Sequence, residues 1–115
     1  MSFRFEKIPR FDRSLRKLKK RYPRITKDLV ETFIAIEANP STGVVIPHDY
    51  SIRKIRAKSS DMQRGKSGGF RLLYKLFSND DDLVAILLHI YAKTDQSDVP
   101  LLFLQALDDE VPEDE

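Results

Sequence analysis

The chain contains no cysteine and no tryptophan, only two histidines, and four glycines among its 115 residues. Without cysteine there is no disulfide framework, no thiolate metal site and no thiol nucleophile. Two histidines, His48 and His89, cannot build an ordinary zinc site unless carboxylates join them. Long apolar runs are missing too. None approaches the ~20 residues of a membrane span, so no membrane partner is expected. The first residues, Met1-Ser2-Phe3-Arg4-Phe5-Glu6-Lys7, lack the apolar core of a signal peptide, and a cytoplasmic protein is the expectation. A chain this short holds one core and one domain. That domain is expected over 1–107, followed by an acidic tail over 108–115.

The net charge of +2 hides an uneven distribution. Residues 1–75 carry 19 Lys and Arg against 7 Asp and Glu, whereas residues 76–115 carry 1 basic residue, Lys93, against 11 acidic ones. A basic body suggests a polyanionic partner.

Periodicity gives the elements. Alternation around Phe3 and Phe5 predicts a strand over 2–6. Pro9 opens a helix, where a missing N–H costs nothing, and Phe11, Leu15, Leu18 and Tyr22 form its apolar stripe. Arg and Lys fill the rest of that helix, and their exposed run from Arg13 to Arg24 suits an RNA backbone. After Tyr22-Pro23 a second helix carries Ile25, Leu29, Val30, Phe33, Ile34 and Ile36, and ends by Asn39-Pro40. The two are expected to form a helical hairpin. Residues 39–51 read as a loop. Three strands follow, over about 51–58, 69–77 and 83–93, and Val99–Leu107 reads as a short helix. The expected fold is α+β: a small antiparallel-rich sheet of about four strands on an N-terminal helical hairpin.

Strand alternation then predicts faces. Val84, Ile86, Leu88 and Ile90 share one side of the last strand, and Leu87, His89, Tyr91 and Lys93 the other. If the helices bury the Val84 and Leu72 sides, an open basic face remains with Lys54, Arg56, Arg71, Lys75, His89, Tyr91 and Lys93.

Several motifs can be set aside. Gly65-Lys66-Ser67 is no phosphate loop, because Ser60 stands where the first glycine belongs and a strand follows. Asp80-Asp81-Asp82 lacks the ligand pattern of a calcium loop and reads as a solvated turn. His48 reads as a surface side chain, while His89 fits a partly buried structural role as well as a functional one.

Three segments in order carry more information: Ile52-Arg53-Lys54-Ile55-Arg56, then Gly65-Lys66-Ser67-Gly68-Gly69-Phe70-Arg71-Leu72-Leu73-Tyr74, then Ile90-Tyr91-Ala92-Lys93. This combination resembles the RelE/ParE superfamily of bacterial toxin–antitoxin toxins, and is most similar to its HigB- and RelE-like members. The resemblance implies an RNA-binding open sheet face and a ribosome-dependent mRNA endonuclease (mRNA interferase) that inhibits translation. Its partners would be the ribosome, messenger RNA and a cognate antitoxin, with no cofactor and no metal. The catalytic candidates are Lys54, Arg56, Arg71 and Lys93, and the RNA-binding candidates are Arg53, Lys58, Lys66, Tyr91 and His89. Two positions depart from the RelE pattern: Thr94 stands where an arginine would follow the last lysine, and Pro100 where a stacking tyrosine would lie.

The chemistry is coherent without the family. RNA can be cut by its own 2′-OH when a base takes that proton, cations stabilise the phosphorane and an acid protonates the leaving oxygen. Arginine stays charged and presents a planar fork, so Arg56 and Arg71 are assigned to the phosphate. Lys54 or Lys93 is assigned to proton transfer. The rival readings are a ParE-like inhibitor of DNA gyrase and a non-catalytic RNA-binding domain.

Overall fold

The computed structural model describes residues 2–62, 68–96 and 99–112. In chain order the elements are β1 (Ser2–Lys7), α1 (Pro9–Arg21), α2 (Ile25–Ala38), a short 3-10 turn (Pro40–Thr42), β2 (Val44–Val45), β3 (Ile52–Ala57), β4 (Phe70–Ser78), β5 (Asp82–Ala92) and α3 (Leu101–Glu110). The architecture is α+β, as expected, and the described residues form three α-helices on a five-stranded mixed sheet of order β1-β5-β4-β3-β2. Three features differ from expectation. Val44–Val45 adds a fifth strand inside the segment read as a loop, and β1 runs parallel to β5 while the other pairs are antiparallel. The helices also fall short of a tight hairpin, since α1 lies chiefly on β5 and α2 on β3.

Local sequence accounts for the helices. Pro9 occupies the first turn of α1, and Lys19, Lys20 and Arg21 fill its last turn, where cations favour the carbonyl end of the helix dipole. Phe11 and Leu18 are buried, with Leu15 and Tyr22 packed beside them. In α2 the buried residues are Ile25, Leu29, Thr32 and Ile36. Asp28 on α2 accepts from both the backbone N–H and the hydroxyl of Ser60, and the Arg24 N–H donates to Asp61, so the chain after β3 is pinned to this helix.

The sheet has two covered faces rather than one. Under α1 and α2 lie Phe70, Leu72 and Tyr74 of β4 with Ala85, Leu87, Ile90 and Ala92 of β5. On the opposite face, Ile52, Leu73, Val84, Ile86, Leu88 and Tyr91 pack with Leu104 and Leu107 of α3. The Val84 side therefore faces α3 and not the helix pair. The cause is a bulge: Leu73 pairs with His89 but Tyr74 pairs with Leu87, so Leu88 is an extra residue and the alternation changes phase there. Beyond β1 the exposed side of β5 is covered by α1, where the Ser14 hydroxyl accepts from the Ile90 N–H and donates to the Phe11 carbonyl.

The last helix also runs further than the sequence suggested. Asp108, Asp109 and Glu110 form its final turn instead of a free tail. Asp108 bonds Lys75 at 2.7 Å and Glu110 bonds Arg10 at 2.6 Å, which fixes the acidic end of α3 over the Lys75 end of the sheet. No helix among the described residues is long and apolar enough to cross a membrane.

Candidate nucleic-acid interface

On the α3 side of the sheet, residues in register form rows across the strands. Ile52, Lys75 and Ile86 make one row, Lys54, Leu73 and His89 the next, and Arg56, Arg71 and Tyr91 the third. Helix α3 covers the first row and most of the second. The third row opens into a groove of about 530 Å³ lined by Thr42, Val44, Lys54, Ile55, Arg56, Arg71 and Lys93. All four catalytic candidates from the sequence thus line one concavity, and no acidic side chain lines it among the described residues.

Arg71 is the unusual member. It is only 7% exposed, and its Nη1 donates to the Gly68 and Phe70 carbonyls. The charge directly opposite it is another cation, Arg56. Burial first, and then the Arg56 charge, lower the pKa of Arg71 from its ordinary value, with Tyr91 acting in the other direction. A buried charge is costly unless an opposite charge meets it. An anion in the groove would supply that partner.

Backbone geometry sets the rest of the site. The Lys93 N–H donates to the Gly69 carbonyl, tying the end of β5 to the start of β4. Gly69 has φ +81°, and a Cβ there would lie 2.6 Å from the Ala57 carbonyl oxygen. Only glycine lets β3 and β4 meet this closely at that backbone angle. The opposite wall hangs on Tyr74, whose hydroxyl accepts from the Gly43 N–H at 2.9 Å and donates to the Pro40 carbonyl at 2.8 Å. Thr42 and Val44 reach the groove through this anchor. Sequence reading missed both, since nothing in a loop-like segment marks which side chains a distant tyrosine will hold.

The RNA-binding candidates separate. Arg53 points to the helix side and spends its Nη1 on the Ser41 and Gly43 carbonyls, so it props the groove wall from behind. Lys58 lines a different pocket, with Asp28, Glu31 and Thr32 of α2. Lys66 lies outside the described residues. His89 and Tyr91 are not on an open surface. Phe103 of α3 packs against the His89 ring at 4.7 Å, His89 stacks near Tyr91 at 5.9 Å, and Tyr91 is 5% exposed. Neither ring is available to stack on a base in this arrangement. Lys75 is likewise engaged with α3. Burial, with a smaller contribution from Arg10, pushes the His89 pKa down to about 4.

No group of three or more His, Cys, Asp and Glu side chains that could hold a metal ion occurs among the described residues. Neither a protein-family model nor any of the curated proteins matches this sequence.

Proposed function

We propose that this chain is a ribosome-dependent mRNA endonuclease of the RelE and HigB type, a translation-inhibiting toxin silenced by a cognate antitoxin. The observation that carries the reading is the buried Arg71 guanidinium, set opposite Arg56 with Lys54 and Lys93 around the same groove. Four cations converging on one groove, with no carboxylate lining it among the described residues, suit a polyanion. The resemblance over residues 50–98 supports the same assignment, because it names these four residues.

The step balances without a cofactor. A base takes the proton of the 2′-OH, the 2′ oxygen bonds to phosphorus, the bond to the 5′ oxygen breaks, and that oxygen takes a proton from the acid. A 2′,3′-cyclic phosphate and a 5′-hydroxyl result. Arg71 and Arg56 hold the non-bridging oxygens, since directed cations matter most where charge develops. Lys54 is two residues from Arg56 on the same side of β3, about 7 Å along the strand. Lys54 and Lys93 carry the proton transfers from the flanks of the phosphate. The exposed cations of α1, Arg13, Arg16, Lys17, Lys19 and Lys20, meet the ribosomal RNA backbone.

The test is mRNA cleavage in a programmed ribosome, with wild type, Arg71→Ala and a 2′-deoxy substitution at the cut site. Either change should abolish cleavage, and the cyclic phosphate should be detectable on the wild-type product. If the wild type leaves mRNA intact while stalling gyrase supercoiling, the groove is a protein-binding surface of the ParE kind instead.

A further inference from the structure

Strand β1 is an edge of the sheet, and among the described residues no strand lies on its far side. The Ser2 N–H donates to Asp81 and the Ile8 N–H to Leu87, so residues 2, 4, 6 and 8 direct their backbone groups towards β5. By the alternation of a parallel ladder, Phe3, Phe5 and Lys7 direct theirs outward. On the helix side of this edge, Phe3 and Phe5 form an edge-to-face pair, and Phe5 meets Phe33 of α2 at 5.2 Å. Beside Phe33 on α2, Val30 and Ile34 are 51% and 61% exposed, an apolar strip one helical turn long. On the other side of the strand Arg4 and Glu6 are exposed and bridge each other at 2.9 Å, Arg4 also meeting Asp82 of β5 at 2.8 Å. Pairing with a second copy would therefore exchange the Arg4–Glu6 contact within one chain for the same contact between chains.

We infer that this edge pairs with β1 of a second copy, antiparallel and about a two-fold axis through Phe5. The sequence of the strand selects that arrangement. With Phe5 opposite Phe5, Phe3 falls opposite Lys7, and all of these residues have outward backbone groups free to form the ladder. Arg4 then stands opposite Glu6 of the second copy, twice. Sliding the register by two residues either way places Arg4 against Arg4 or Glu6 against Glu6, and like charges directly opposite disfavour pairing. A slip of one residue would turn the outward backbone groups away from each other. The self-complementary order of one cation and one anion therefore identifies a second copy of this chain as the occupant. The dimer joins two five-stranded sheets edge to edge and leaves both basic grooves, at the β3 side of each sheet, open to RNA.

Sedimentation velocity from about 1 µM to about 1 mM, roughly a thousandfold span of dissociation constants, tests this. The wild type should pass from monomer to dimer. Arg4→Glu and Glu6→Arg should each weaken the dimer at least about tenfold. An equimolar mixture of the two should dimerise again as a heterodimer, because one chain then offers two carboxylates and the other two cations. That rescue also shows both variants to be folded. Amide exchange at Phe3, Phe5 and Lys7 of the wild type should slow with concentration. A wild type monomeric throughout, single variants that dimerise like wild type, or exchange independent of concentration would overturn the inference.

Discussion

Arg56 and Arg71 stand directly opposite each other on β3 and β4, one exposed and one buried, and among the described residues no carboxylate lines the groove between them. Directly opposed like charges cost a sheet about 0.2–1 kcal/mol. Arg56→Gln should therefore raise the melting temperature by about 1–5 °C while lowering cleavage, a gain in stability bought with function. Differential scanning calorimetry beside the ribosome assay would show both. A lowered melting temperature with unchanged cleavage would contradict the assignment of this pair to an anion.

The phenol of Tyr74 is fully buried and bonded at both its proton and its lone pair, to Pro40 and Gly43. Tyr74→Phe leaves that N–H and that carbonyl without their partner, at a cost of about 1–3 kcal/mol by urea unfolding. Gly43→Ala acts on the same contact from the other side, since a Cβ there would come within 2.8 Å of the Tyr74 ring and hydroxyl. Both changes should also loosen Thr42 and Val44 and reduce RNA binding, although neither residue touches the groove by itself. Footprinting of the 40–45 segment by limited proteolysis would show the loosening directly.

His89 makes stability depend on pH. Its buried Nδ1 has no hydrogen-bond partner among the described residues, and its folded pKa of about 4 lies below the ordinary 6.5. Between those values the unfolded chain binds a proton that the folded chain does not, so stability rises with pH. The contribution is complete above pH 6.5 and is lost as the pH falls towards 4. With the ring partly exposed, the loss amounts to about 1–3 kcal/mol. His89→Leu should remove this part of the pH dependence in urea titrations at pH 4, 5 and 7, and should leave stability at pH 7 within about 1 kcal/mol.

Much of the fold was legible in the sequence because period and punctuation agreed locally. The apolar stripe behind Pro9, the break at Tyr22-Pro23 and the alternation from Phe70 onward each specify an element within a residue or two of where it forms. The faces of β5 were not legible. Alternation from Val84 to Ile90 reads as uninterrupted in the sequence, and the bulge at Leu88 shows only in the register of β5 against β4, with α1 packed on one face and α3 on the other. The four groove cations could be read from strand spacing and from the resemblance, since β3 and β4 keep a simple register beside them. His89 and Tyr91 could not be placed, because what covers them is Phe103, a residue on a helix whose docking site no pattern announces.

The position of β5 has a consequence for how the molecule comes into being. It is the last strand to be synthesised, yet it lies between β1 and β4 in the sheet. During translation α1 and α2 emerge with Phe11, Leu18, Ile25, Leu29 and Ile36 having no sheet to cover. Joining β1 to β5 then closes a loop of roughly 80 residues, an entropic cost of about 4 kcal/mol beyond the constant term. The neighbouring strands β4 and β5, linked by a short turn, meet far more cheaply. By closure entropy alone, the cheapest order of strand pairing runs from β5 back towards β1, opposite to the order of synthesis.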